Sequence, residues 1–270
     1  MSYYKKKNLI QSFYYYEMKK SKSHSDTSNE VEGTHYVINE YKVTAHSKIG
    51  NGGHSQVYSC LDQNSRVHAL KVIKITSKEQ RDAVMKEISL HSQICCHDHI
   101  IQLEGFHSGD DSFEILYEFC DGGLIDQMKG VIGKGFTTGK IAEIFSSVLS
   151  ALKFMHQQNP PIIYRDLVPQ NVLCKRGIWK LCHFRNATNK VYHLGNDDDR
   201  KEASEDIEKN TNPSNRSPEM INLYTGDEIG TPSDIWALGC LLFNICTLSD
   251  PFQKGALARI NGLSDYKWNQ

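Results

Sequence analysis

The hydrophobic pattern of the chain changes period once, at Asp121-Gly122-Gly123, and that change restricts it to few architectures. Before it, "EYKVTAHSKIG", "HSQVYSCL" and "RVHALKVIKI" are rich in Val, Ile and Tyr and are separated by Gly-Asn-Gly-Gly and Asp-Gln-Asn-Ser. β-Branched and aromatic runs interrupted by turn chemistry read as a meander. A helical stretch from about Lys78 to Ile94 follows, and "FEILYEFC" (113–120) returns to strand. After the glycines, Ile141, Ile144, Phe145, Val148, Leu152 and Met155 fall at i, i+3, i+4, i+7, i+11 and i+14, one apolar face of a long helix. "NVLCKRGIWKL" reads as a hairpin turning at Lys175-Arg176-Gly177, and "SDIWALGCLLFNICT" as a buried helix with Ser233 or Asp234 at its start. The expectation is an α+β, bilobal chain. A β-rich lobe over 35–119 holds a five-stranded antiparallel sheet and one helix, and a mainly helical lobe covers 120–270.

Two segments stand outside this pattern. Residues 1–34 carry Lys clusters and Tyr triplets but no periodicity, and read as a disordered basic, aromatic tail. The acidic run "GNDDDRKEASEDIEKN" (195–210) reads as an exposed, mobile segment. With 39% hydrophobic residues over 270 positions the chain can bury one large core or two small ones, and a net charge of −1 offers no basic field to nucleic acid. The longest apolar run, 235–246, is too short to span a bilayer, and the first thirty residues lack the apolar stretch of a secretory signal. A cytoplasmic setting follows, in which the 8 cysteines are reduced thiols rather than a disulfide framework. His91, Cys95, Cys96, His97 and His99 crowd one loop, but adjacent cysteines do not readily chelate one ion together, so that loop reads as a helix-to-strand connection.

The chemistry-bearing motifs lie on either side of the change in period. "IGNGGHSQVY" places Gly50, Gly52, Ser55 and Val57 in a turn whose backbone amides can close over phosphates, and "HALK" supplies Ala69 and Lys71 on the next strand. Glu87, on the helix after it, is in position to pair with Lys71. "YRDLVPQNVL" matches the HRDLKxxN loop at Arg165, Asp166, Leu167 and Asn171; "SPE" at 217–219 matches APE, and "SDIWALGC" matches DxWxxG. Each motif alone is weak. Five in order are not.

These motifs resemble a protein-kinase domain. "PPIIYRDLVPQNVL", "KLCHFRNATNK", "RSPEMINLYTGDEIGTPSDIWALGCLLF" and "PFQKGALARINGLSDYKW" are similar to the numb-associated kinase family over about 36–270. The resemblance implies a Ser/Thr kinase fold with ATP and Mg²⁺ as cofactors and Asp166 as acceptor of the substrate hydroxyl's proton. It also implies Lys71 and Glu87 as an ion pair on the phosphates, and Glu118 and Cys120 at the adenine. Asn171 is the metal ligand, Tyr117 a bulky residue narrowing the pocket behind the base, and a protein partner or substrate is placed around clathrin adaptors, endocytosis and vesicle membranes.

The departures from that pattern cluster at the chemistry. Where the family carries Asp-Phe-Gly, this chain has His183, Phe184 and Arg185. Mg²⁺ prefers hard oxygen ligands, so the imidazole is a poor replacement, while Arg185 adds a cation beside the nucleotide phosphates. Val168 stands where a Lys would neutralise the transferring phosphoryl group, and Asn212 and Asn215 replace a Thr and a Tyr of the substrate-receiving segment. The C-lobe pattern also stops short of its last helices, which would leave Glu219 without an expected Arg partner. Three readings remain: a pseudokinase that binds nucleotide or scaffolds partners, an active kinase with one metal held by Asp166 and Asn171, and a non-functional remnant.

Overall fold

The computed structural model of the chain describes residues 33–53, 55–226 and 228–252. By contact they form two units: the described residues up to Val84 with Gln102–Phe119, and Met85–Ile101 with the residues from Cys120 onward. The expected tail lies outside the described residues except at 33 and 34, as does the quoted C-terminal run from 253.

The first unit is an antiparallel sheet of six strands: β1 (His35–Ile38), β2 (Tyr41–Asn51), β3 (Ser55–Asp62), β4 (Val67–Lys74), β5 (Leu103–Ser108) and β6 (Ser112–Glu118), in the order β1-β2-β3-β4-β6-β5. The sequence pattern predicts five. Strand β1 is the one it missed, because Glu40 follows Asn39 in a two-residue turn that lets His35–Ile38 fold back on β2, with Asn39 at φ 52. Alternation along the strands sends Ile38, Val43, Ala45, Tyr58, Cys60, Leu70 and Leu116 to one face, where they form a core cluster with every member at most 2% exposed. The other face is left for the residues described below. Helix α1 (Lys78–Ile94) starts in this unit, with Ser77 Oγ accepting from Gln80 N at 3.2 Å. Its later turns and the loop after them group with the second unit, where Ile101 N donates to Leu181 O and Leu181 N to His99 O.

The second unit is built on α2 (Leu124–Gly130), α3 (Thr138–His156), the short α5 (Pro218–Ile221) and α6 (Pro232–Thr247), with α4 described below and a small sheet of β7 (Gly122–Gly123), β8 (Val172–Lys175) and β9 (Ile178–Leu181). Thr137 Oγ1 caps α3 by accepting from Lys140 N, and the expected apolar stripe is buried at Ile144, Val148, Leu152 and Met155. The β8–β9 turn is the expected one, with Arg176 and Gly177 both at positive φ (50 and 85), as a tight hairpin requires. Helix α6 starts at Pro232 rather than at Ser233 or Asp234; Thr231 is the cap, which leaves Asp234 inside the helix and fully buried. No helix among the described residues is long and apolar enough to cross a membrane.

The acidic run is not a mobile segment. Residues Asp197–Asn210 form helix α4, capped by Asn196 Oδ1 on Asp199 N at 2.9 Å, with three aspartates in the first turn where the helix dipole favours them. Ala203 and Ile207, one turn apart, are 0% and 3% exposed and pack with Tyr192, Leu194, Met220 and Ile229. A mean composition dominated by charge hid a two-residue apolar stripe that is enough to seat the helix.

Candidate functional site

Within the first unit, register brings the motif residues onto the face opposite the core cluster. Val57 pairs with Lys71 and Lys71 with Ile115; Ser59 pairs with Ala69 and Ala69 with Tyr117. Directly paired residues in an antiparallel sheet share a face, so Val57, Ala69, Lys71 and Tyr117 form one patch. Ser55, opposite Ile73 two residues on, joins it. The β2–β3 turn is closed by Gly52 N on Ser55 O at 2.7 Å. A Cβ on Gly52 would meet Ser55 Oγ at 2.8 Å, and one on Gly50 would meet Val57 Cβ at 3.3 Å. A side chain at 52 would have to displace the Ser55 hydroxyl, and glycine leaves the backbone of the turn unshielded. Glu118 ends β6 with its Oε1 accepting from Gln102 N at 2.8 Å, so that carboxylate oxygen is engaged in the fold. Half-buried Cys120 begins the second unit two residues later.

Were a nucleotide held on this patch, Gly50, Gly52, Ser55 and Val57 would lie along its phosphates, Ala69 against the base and Lys71 as countercharge.

Within the second unit, the catalytic-loop motif is assembled and buttressed. Asp234 accepts from Tyr164 N, Arg165 N and His156 Nε2, each at 2.8 Å. Those bonds hold the loop while Arg165 takes φ 65. Asn171 Nδ2 donates to Asp166 O at 2.8 Å, which sets the two motif residues side by side. Phe184 is 1% exposed, 4.4 Å from the His91 ring and 5.5 Å from the Tyr164 ring. The Tyr164 hydroxyl donates to Cys182 O, and burial drives its phenol well above the usual value. Glu87 lies buried on α1 in this unit, whereas Lys71 belongs to the first.

His183 also takes a left-handed backbone, φ 65, and puts Nε2 3.9 Å from Asp166 Oδ2. Arg185 follows, exposed, and Val168 precedes the 3₁₀ turn Pro169–Asn171. The three motif positions supply the carboxylate of Asp166, the amide of Asn171 and, at 183, an imidazole. Among the described residues no group of three or more His, Cys, Asp or Glu is placed to hold a metal ion. A resident Mg²⁺, which wants near-octahedral oxygen coordination, does not fit this donor set.

Two contacts escaped the sequence reading. Asn215 was read as a lost contact, yet its Nδ2 donates to Leu167 O at 2.6 Å and ties the substrate-receiving segment to the catalytic loop. Asn212 turns inward on its own segment, accepting from Ser214 N. The second is Asp206 on α4, which pairs with Arg165. Burial alone would raise the Asp206 carboxyl, but the Arg165 guanidinium, with bonds from Asn210 and Tyr192, outweighs it and holds the group below the usual carboxylate range. The crowded histidines serve packing: His91 Nε2 bonds Ile101 O, His97 stacks on Phe154, and His99 Nδ1 bonds Trp179 O.

Residues 43–265 match the model of the protein kinase domain. The chain is 34% identical over 241 residues, 85% of its length, to a probable serine/threonine-protein kinase of Dictyostelium discoideum, and 36% identical over 87% of its length to a second one of that organism. It is 31% identical over 250 residues to actin-regulating kinase 1 of Saccharomyces cerevisiae. The chain spans 21%, 30% and 39% of these relatives.

Proposed function

The chain belongs to the protein kinase family as a Ser/Thr-kinase-like domain, and we propose that within it this domain is a pseudokinase, which binds nucleotide and presents its surface to protein partners while transferring phosphate poorly or not at all. One observation carries this reading: His183 stands in the metal seat, its Nε2 3.9 Å from the Asp166 carboxylate. Kinase catalysis is mostly positioning and electrostatic stabilisation around a metal-bridged triphosphate, and loss of the metal carboxylate together with the Lys that Val168 replaces removes several kcal/mol of that stabilisation, on the order of 10³-fold or more in rate. By the same resemblance, the proposal sets the domain in the numb-associated branch, near its cyclin-G-associated members. Its partners are then of the clathrin-adaptor class at vesicle membranes.

The intact pairing of Asp166 with Asn171 favours the rival, an enzyme working with one metal. Phosphotransfer to generic Ser/Thr substrates with Mg²⁺ and with Mn²⁺, beside an Asp166→Ala control, separates the two. Turnover no greater than that of the control supports the pseudokinase, and Asp166-dependent turnover near 1 s⁻¹, about the low end for kinases, overturns it.

A further inference from the structure

Helix α1 is fastened to the first unit in a way that none of the motifs describes. In protein kinases the helix bearing the Glu of the Lys–Glu ion pair is a movable element whose placement controls activity. Here that helix, which bears Glu87, is fixed at its start. Ser77 Oγ accepts from Gln80 N, while Gln80 Oε1 reaches back to accept from Thr76 N at 2.8 Å and from Thr76 Oγ1 at 3.1 Å, a reciprocal cap. Arg81 comes next. Its guanidinium reaches the turn between β5 and β6, where NH1 donates to Ser108 Oγ at 3.1 Å and NH2 donates to Gly109 O at 2.9 Å and to Asp110 O. Cζ lies 5.2 Å from the centre of the Phe113 ring, which is fully buried. The turn is shut by Gly109 N on Ser112 O at 2.9 Å, and Asp111 O accepts from Ile75 N at 2.8 Å just before the helix. The residue leading into the helix and the first turn of the helix are thus bonded to the same short turn.

We propose that Arg81 is a positioning residue whose guanidinium fork locks the first turns of α1 to the β5–β6 hairpin, so that the helix is held in one place by the chain itself and does not serve as a switch. Three acceptors around one planar group suit arginine and not lysine, whose single nitrogen cannot span them. The lock uses no nucleotide, metal or modified residue, so it stands whether or not phosphate is transferred.

Amide hydrogen exchange by mass spectrometry on the full chain, without ligand, tests it. Exchange is read over 80–88 and 105–113, with strands β2 and β3 as the internal control for global folding. In the parent, exchange over 80–88 should lie within about tenfold of that in β4 and β6, because a helix held in one place opens no more readily than the sheet it is fastened to. Arg81→Met keeps an unbranched stem and a similar helix propensity, so what it removes is the donors. It should speed exchange in both segments together by roughly ten- to a hundredfold, the range for losing charged hydrogen bonds, and leave β2 and β3 unchanged. Arg81→Lys, which keeps the charge and loses the fork, should fall between the two. A parent helix that exchanges far faster than the sheet overturns the proposal. So does an Arg81→Met variant that leaves both segments unchanged or loosens the helix alone, since the two would then not be joined through this side chain. Full protection in Arg81→Lys overturns it as well, because the fork would not be what holds. Should Arg81→Met fail to fold, the exchange of the parent and of Arg81→Lys still decides.

Discussion

Replacing His183 by Asp tests whether one side chain closes the metal seat. The backbone there sits at φ 65, a conformation that Asp adopts with little strain, so the change alters charge more than shape. It sets a second carboxylate near Asp166, further off than the present 3.9 Å because the Asp side chain is shorter than that of His. Two like charges about 5–6 Å apart repel by about 3 kcal/mol at an effective dielectric near 20, and by under about 1 kcal/mol in water. The side chain at 183 is 41% exposed, which places the penalty toward the lower part of that range, about 1–2 kcal/mol. In EDTA the variant should therefore melt lower than the parent by about 2–8 °C, taking roughly 2–4 °C per kcal/mol for a protein of this size. A divalent ion between the carboxylates cancels the repulsion. At tenfold excess over its dissociation constant it also adds about 1.4 kcal/mol by mass action, so Mg²⁺ should return most of the loss. Differential scanning calorimetry in EDTA and then in about 10 mM Mg²⁺ reads both quantities. Stabilisation of the parent by Mg²⁺ equal to that of His183→Asp would refute the closed seat, and so would a variant that Mg²⁺ leaves unmoved.

Three further outcomes follow from the same structure. ATP binding, measured by calorimetric titration, should persist within about threefold when EDTA replaces Mg²⁺ and should be lost in Lys71→Met, because the countercharge then comes from the protein. Asp206 is held below the usual carboxylate range by Arg165 against the effect of burial, with Tyr192, Asn210 and Lys86 around it. Its stabilising contribution is thus present above about pH 4 and lost as pH falls through the lower folded value, so exchange over 197–210 should accelerate below about pH 4 in the parent and show no such step in Asp206→Asn. Burial pushes the Cys60 thiol up to about 12, whereas Cys96 is exposed, so iodoacetamide at pH 8 should label Cys96 and leave Cys60 unmodified in peptide mass spectra of the native protein.

The parts of this fold that repeat a period were legible in the sequence. Helix α3 was visible because Ile144, Val148, Leu152 and Met155 keep one face for its whole length, and the β8–β9 hairpin because Arg176-Gly177 can only turn one way. Strand β1 was not, since four residues carry too little alternation to rise above the tail before them. Helix α4 was missed for a different reason: its seat is two residues among fourteen, and its stability comes from a cap and from contacts with residues far along the chain, Met220 and Ile229. The site divides the same way. Motif spacing located Lys71, Asp166 and Asn171, but the bonds from Asn215 to Leu167 and from Asp206 to Arg165 join residues 48 and 41 positions apart, and a motif match carries no such information.

The distribution of change across the second unit bears on why the chain keeps this frame. Phe184 is buried against His91 and Tyr164, and Asp234 satisfies three donors at once; substitution at either would leave a cavity or orphaned buried amides, with costs of about 2–5 kcal/mol. The positions that depart from the family pattern are cheap by comparison. The side chain of His183 is 41% exposed, Arg185 is exposed, and Val168 is half-buried at the entry to a 3₁₀ turn. Relative to that pattern, His183 for Asp and Arg185 for Gly each shift the local charge by +1 and Val168 for Lys by −1, a net +1. A more positive seat needs a divalent ion less and attracts phosphate without one. Phe184 and Asp234, which hold the loop from inside, keep the family's residues, and Asn215, a departure, still bonds the loop at Leu167 O; a frame kept in this way beside an altered seat is what the proposed reading requires.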